Sequence, residues 1–310
     1  LRRALRAGAR HLPVHVRAIR RRYGAWVLDT TDGEVTVPFL VGADGAASLV
    51  RRVAAPKFKV ELAPTRVAYP TDAGPHPDTA LLRFYSSLAG YLWDFPRPDH
   101  RSVGVGVPNG TWQRRRLDGE IDSYRQSATR CDCPGLERAG AVIGTAQLGH
   151  GDFSAVVGDD FALLGDAAGF ADPLTGEGIQ NALVSAGLLT QAWVGGEPRE
   201  YAALARGTFE REFGIARFLR RTVFESEAGM GLIRGARQSR GRYALVAALV
   251  NGLNEHDDGL IRLASRWAGA WRAVGRNGGV PREVRQPLAC TCGCSGEEEG
   301  TGCGVTRDAA

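Results

Sequence analysis

The chain has 310 residues, 44% of them hydrophobic, with 39 Lys+Arg against 34 Asp+Glu for a net charge of +5. That is enough apolar material for one large core or two smaller ones, which excludes disorder throughout, and a charge this mild does not single out nucleic acid as a partner. No apolar run approaches the roughly 18 to 20 residues of a membrane-spanning helix, and the 6 cysteines are too uneven for a disulfide framework, so the chain reads as a cytosolic protein.

The opening LRRALRAGARHL sets Arg against Leu and Ala at helical spacing and lacks the apolar centre of a signal peptide. It begins at Leu1, as if mid-helix, which gives the chain the look of a fragment. VHVRAIRRR, GAWVLDTT and EVTVPFLV then predict three strands of a small meander, with an Asp32-Gly33 turn between the last two. The meander feeds GADG (residues 42–45) and a short helix carrying Ser48, Val50, Arg51 and Arg52. From residue 56 to 109, TRVAYP, ALLRFYS, YLWDFP and SVGVGVP alternate between turn clusters and predict one antiparallel sheet. A helix over 117–130 and a strand at AVIGTAQLG follow. A buried strand at 161–164, a glycine-rich loop and a long helix from about Gly176 come next. Beyond them, 199–221, 223–233, 242–253 and 260–273 carry apolar residues at helical spacing, and a Gly, Glu and Cys tail closes the chain.

The most informative run is GDAAGFADPLTGEGI, residues 165–179. The strand delivers Gly165 and Asp166 at its carboxyl end, the ligand side of an α/β sheet, where Asp166 can accept hydrogen bonds from sugar-type hydroxyls. Pro173 and Gly176 turn the chain so that the following helix points free amides and its positive dipole end into the crevice, which favours an anion or a polarised oxygen. Gly176 and Gly178 lack Cβ atoms, so a flat ligand can approach the backbone there. The bland alternative is a tight strand-to-helix turn with Asp166 as a capping group.

This run closely resembles the second FAD fingerprint of the flavoprotein group that includes para-hydroxybenzoate hydroxylase, and it is most similar to the geranylgeranyl reductase family. GADGAASLVRR, residues 42–52, resembles that group's other fingerprint. YLWDFP, residues 91–96, followed by SVGVG resembles the reductases' Tyr-x-Trp-x-Phe-Pro strand and downstream Asn-Val-Gly-x-Gly; Leu88 stands where the family often has Pro, and Ser102 where it often has Asn. The resemblance implies that Asp166, with Gly165 before it, binds the ribityl chain of FAD. It also implies that Pro173, Gly176, Glu177, Gly178 and Ile179 border the isoalloxazine edge, and that Asp44, Gly45 and Arg51 organise the cofactor region. For Asp44 and Arg51 a local ion pair capping a helix is the equal alternative. Tyr91, Trp93 and Phe95 fall on one face of a strand, where they either wall a substrate cavity or simply pack the core.

The fold implied is a mixed α/β (α+β) one. Residues 1–55 and 151–195 form parts of an FAD-binding Rossmann-like domain, 56–150 an antiparallel substrate domain, 196–285 a helical C-terminal region and 286–310 a disordered tail. The implied function is FAD-dependent reduction of carbon–carbon double bonds in an isoprenoid of the geranylgeranyl type, with NAD(P)H or a ferredoxin-type reductant as donor. A flavin monooxygenase or halogenase, or a non-catalytic flavoprotein remnant, are the alternatives. No general acid stands out. No G-x-G-x-x-G turn occurs in the 310 residues, so the chain alone is expected to bind FAD weakly or not at all. The lipidic substrate and the arginine-rich C-terminal helices allow peripheral contact with a membrane.

Weaker signals are set aside. Gly104, Gly106 and Gly110 mimic a dinucleotide motif but lie in a strand, and His100 and His150 show no metal or triad spacing. The tail's Cys290, Cys292, Cys294 and Cys303 could hold a soft metal ion, but their spacing is not the usual pair, and no metal site is expected.

Overall fold

The computed structural model describes residues 2–72, 78–85, 90–107, 114–129, 138–146, 152–221 and 231. The helices expected at 242–253 and 260–273, that expected at 223–233 except for residue 231, the cysteines, His150, Leu88 and Gly110 lie outside these residues.

A short exposed helix, α1 (Arg2–Arg6), leads into β1 (Val16–Arg22), β2 (Ala25–Thr30) and β3 (Gly33–Val37), which form the expected antiparallel meander in the order β1-β2-β3. The third expected strand, EVTVPFLV, is in fact two. Pro38 has no N–H for the ladder, so β3 ends at Val37 and the chain re-enters as β4 (Leu40–Gly42). That strand pairs in parallel with the distant β10 (Phe161–Leu163), Leu40 opposite Phe161 and Gly42 opposite Leu163. Both parallel strands therefore end on the same side, β4 running into the GADG turn and helix α2 (Leu49–Ala54), β10 into a 3-10 turn over Gly165–Ala168.

The second sheet is antiparallel with five strands in the order β6-β7-β8-β5-β9. They are β5 (Val60–Ala68), β6 (Leu81–Tyr85), β7 (Gly90–Pro96), β8 (Arg101–Gly106) and β9 (Arg138–Ala146). Helix α3 (Arg114–Thr129) covers one face, burying Leu92, Val103 and Val105 against Leu117, Ile121 and Tyr124. Buried charge on this face is paired: Arg101 with Asp94 at 2.5 Å, the Tyr124 hydroxyl onto Asp94 at 2.6 Å, and Arg66 with Asp118 at 2.7 Å. Pairing is what makes such charge tolerable, because a lone ion here would keep its full desolvation cost.

The other core joins the meander and the β4–β10 pair to α4 (Ile179–Val194) and α5 (Tyr201–Leu219). Helix α5 buries Tyr201, Ala205, Phe209, Phe213 and Ala216, an apolar stripe at three- and four-residue spacing. Phe209 packs on Phe170 with ring centroids 4.7 Å apart and on Phe213 at 5.2 Å. Burying each of these rings contributes about 2–3 kcal/mol, and Phe170 lies within the glycine-rich run, so α5 fixes that run from behind.

Candidate functional site

Two strand-turn-helix units stand side by side at the carboxyl ends of β4 and β10, the edge at which open α/β sheets bind ligands. A glycine stands at the end of β4 and another just past β10, and neither position tolerates a side chain. A Cβ on Gly42 would lie 2.8 Å from Leu163 and from Val50, and one on Gly165, whose φ is +52°, would lie 2.8 Å from the Cβ of Ala182.

In the first unit the carboxylate of Asp44 accepts from the amides of Leu49 at 2.7 Å and Val50 at 3.2 Å, and the Ser48 hydroxyl accepts from the Arg51 amide at 2.8 Å. The first turn of α2 is thus fully engaged by its own chain, with Gly45 (φ +76°) making the bend. Asp44 caps the helix, as one of the two expectations had it, but its partner is the backbone rather than Arg51. Arg51 turns away and is only 7% exposed. Its guanidinium donates to the carbonyls of Ala46 at 2.5 Å and Ala167 at 2.9 Å, reaching that of Asp166 at 3.5 Å. Burial draws its pKa below the ordinary value, with nearby Asp44 opposing. Arg51 therefore fastens the first fingerprint to the second.

The second unit is built differently. Asp166 sits in the 3-10 turn after β10, half-buried, and a Cβ on Gly178 would lie 2.6 Å from its Oδ1. Gly178 is thus required by Asp166 itself. The Gly165 amide donates to the Ser185 hydroxyl at 3.0 Å, and the Asn181 side-chain amide donates to the Phe170 carbonyl at 2.9 Å. Between them, residues 172–178 form a self-organised loop. The Asp172 carboxylate accepts from the amides of Leu174 at 2.8 Å and Thr175 at 2.7 Å and from the Thr175 hydroxyl at 3.0 Å. The Gly176 amide, at φ +72°, donates to the Asp172 carbonyl at 2.9 Å. Helix α4 starts after this loop, at Ile179 and not Gly176, and its N-cap is Gly178, which offers no side-chain cap. The positive end of its dipole lies beside the Asp166 carboxylate. Glu177 and Ile179 are exposed, Ile179 by 82%.

Tyr91, Trp93 and Phe95 lie on the face of the five-stranded sheet opposite α3, each half-buried while the intervening Leu92 and Asp94 are buried. The Tyr91 hydroxyl donates to the Thr175 carbonyl, which brings this face against the 172–178 loop. Burial, with Asp172 and Glu177 adding, pushes the Tyr91 phenol up to about 12. The Trp93 ring lies 6.0 Å from that of Tyr91 and donates its indole N–H to the Ser102 hydroxyl at 3.2 Å. Gly104 and Gly106 have their use here: a side chain on Gly104 would run into the Trp93 ring, so the glycines of β8 seat an indole. Phe95 lies opposite Ser102, at the far end of the same face.

Sequence reasoning passed over four residues that shape the site: Asp172, Ser185, Arg220 and Glu61. Asp172 had a usable signal, since an Asp followed by Pro and, three residues on, by Thr is an Asx-type turn. Arg220, just past α5, donates to both Glu61 oxygens at 3.0 and 3.2 Å and to the Pro173 carbonyl at 3.4 Å, and had none.

No protein-family profile matches the chain. A digeranylgeranylglycerophospholipid reductase of Methanosphaera stadtmanae is 34% identical over 114 residues, which are 35% of this chain and 27% of the relative. Another, of Methanothrix thermoacetophila, is 29% identical over 177 residues, 54% of this chain and 42% of the relative. The chain thus spans less than half the length of these curated relatives. Among solved structures, a geranylgeranyl bacteriochlorophyll reductase-like protein of Thermoplasma acidophilum superposes with a TM-score of 0.52 at 18% identity, covering 76% of this chain and 62% of that one. A Diels-Alderase of pyrroindomycin biosynthesis gives 0.55 at 21%, covering 82% and 59%. A flavin-dependent halogenase of Xanthomonas campestris gives 0.51 at 15%, covering 71% and 44%. The structures show the fold, and the curated sequence relatives make the chain similar, over part of its length, to digeranylgeranylglycerophospholipid reductases.

Proposed function

We propose that this chain supplies the flavin-facing half of an FAD site in an oxidoreductase that reduces carbon–carbon double bonds of an isoprenoid substrate. The observation that carries this reading is the meeting of a helix end that begins on glycine, next to a carboxylate, with an aromatic sheet face that grips the intervening loop. The residues fit the cofactor. Asp166 would accept from ribityl hydroxyls, Gly165 and Gly178 keep the backbone clear around it, and Pro173, Gly176, Glu177 and Ile179 border the ring. Asp44, Gly45 and Arg51 hold the neighbouring turn. When bound, FAD supplies two-electron transfer. The chain's own part is electrostatic: the positive end of α4 favours negative charge at the ring edge.

Tyr91, Trp93 and Phe95 would wall a lipidic substrate and exclude water. With its hydroxyl committed to the Thr175 carbonyl, Tyr91 presents its ring to that cavity. NAD(P)H or a ferredoxin-type reductant would supply electrons, and peripheral membrane contact suits the substrate.

Titration of the chain with FAD, FMN and riboflavin, followed by flavin absorbance and fluorescence, tests the site. The chain holds no G-x-G-x-x-G turn, so all three are expected to bind weakly and within about tenfold of one another. Asp166→Ala should weaken them by at least about tenfold through loss of a charge-assisted hydrogen bond. Unperturbed spectra at about millimolar flavin would sink the site, and a stoichiometric yellow flavin retained through purification would sink the weak-binding part.

A flavin monooxygenase or halogenase is the second reading, favoured by the fold shared with the halogenase. Oxygen consumption coupled to substrate hydroxylation or halogenation, in place of anaerobic alkene reduction, would select it. Normal folding with no flavin redox change would mark a non-catalytic flavoprotein.

A further inference from the structure

Two carbonyls of the 172–178 loop are taken by side chains from elsewhere. Tyr91 of β7 holds the Thr175 carbonyl, and Arg220 holds the Pro173 carbonyl. Arg220 is itself held. It is 7% exposed, and its Nη2 lies 3.0 and 3.2 Å from the two oxygens of Glu61, whose side chain is also largely buried. Glu61 belongs to β5, at a register position opposite Thr145 of β9. Alternation along β5 puts it on the same face as Thr65, whose methyl group lies beside the Gly106 position in the row that seats Trp93. One guanidinium therefore touches the end of α5, the aromatic side of the substrate sheet and the loop that aims α4.

We propose that Arg220 is a positioning residue: braced by Glu61, it fixes the Pro173 carbonyl and so sets the direction in which the first-turn amides of α4 point. The arrangement has the features such a part needs. A fork of fixed geometry binds a carboxylate with one arm and a carbonyl with the other, and a buried ion pair gives directional hold where a hydrophobic contact would slide. Pro173 is buried and cannot donate, so its carbonyl is the loop's natural handle at this point. The link also joins the two halves of the proposed site, since whatever shifts β5 is felt at the entrance to α4. Its effect on flavin rests on the FAD-site reading; its effect on the loop does not.

The test uses the full chain with Arg220→Gln, Arg220→Lys and Glu61→Gln. Amide hydrogen exchange of residues 172–181 is compared with that of β1–β3, and riboflavin affinity is measured alongside. Arg220→Gln should speed exchange in 172–181 about tenfold, leave β1–β3 unchanged, and weaken riboflavin by a similar factor. Arg220→Lys, which keeps the charge but loses the fork, should recover part of both, and Glu61→Gln should resemble Arg220→Gln. If Arg220→Gln does not fold, the Lys and Glu61 variants decide. Unchanged exchange in 172–181 in a folded variant overturns the proposal, as does equal acceleration in β1–β3. If the unsubstituted chain leaves the flavin spectrum unperturbed, the FAD-site reading fails and the exchange result still decides the role of Arg220.

Discussion

The two strand-turn-helix units share a sheet edge, a direction and a glycine at or just past the strand end, yet they spend their helix ends in opposite ways. Helix α2 has three first-turn amides taken by Asp44 and Ser48. Helix α4 has a glycine N-cap and no side-chain cap. A helix capped by its own loop's side chains holds its own end; one that begins on glycine leaves the carboxylate beside it, Asp166, to answer its dipole. On the proposed reading the first unit is scaffold and the second the working end, and Arg51, rooted in the first, holds the carbonyls of the second.

The largest expected effect tests that dependence. Arg51→Ala leaves the buried carbonyls of Ala46 and Ala167 without their donor, and the chain should lose about 3 kcal/mol or more in chemical denaturation. A loss under about 1 kcal/mol would mean the two units do not need each other. Next come the caps: Asp44→Ala and Ser48→Ala should each cost about 1 kcal/mol and leave flavin affinity within about twofold, whereas Asp166→Ala in the second unit should lose flavin affinity by about tenfold. Equal losses of flavin affinity on both sides would break the contrast. The smallest effect concerns the fastening of the loop. Tyr91→Phe removes one hydrogen bond and should cost about 1 kcal/mol at neutral pH. The folded state keeps this phenol protonated, with its pKa raised from 10.0 to about 12. Its contribution is therefore complete below about pH 10 and is lost as pH climbs through about 12, and the Phe variant should lack that alkaline limb of the stability profile.

Much of this was legible in the sequence because it is local. The fingerprints announce themselves by glycine spacing, and the antiparallel sheet by its alternation. Other features were hidden by distance. Nothing near Arg220, one of 39 Lys+Arg, says that it will meet a glutamate 159 positions away. Nothing near Phe161 says that it pairs with Leu40. The split of EVTVPFLV was readable from Pro38, but the apolar run around it looked continuous; only the parallel partner gives β4 a reason to exist apart from β3. Gly104 and Gly106 lie in a strand, as their neighbours in the sequence suggest, yet their purpose needed the neighbouring strand to be seen.

That purpose has an evolutionary consequence. The depth of the aromatic face is set by an indole resting on bare backbone, so position 104 cannot acquire a side chain while position 93 remains tryptophan. A side chain at 104 would also meet the Arg66 carbonyl at 2.8 Å, so the glycine is held by backbone as well as by the ring. Change is therefore open to residue 93 alone: a lineage that shrinks it gains a slot floored by β8 itself. Across relatives, 104 should stay glycine while the size at 93 sets the depth of this face.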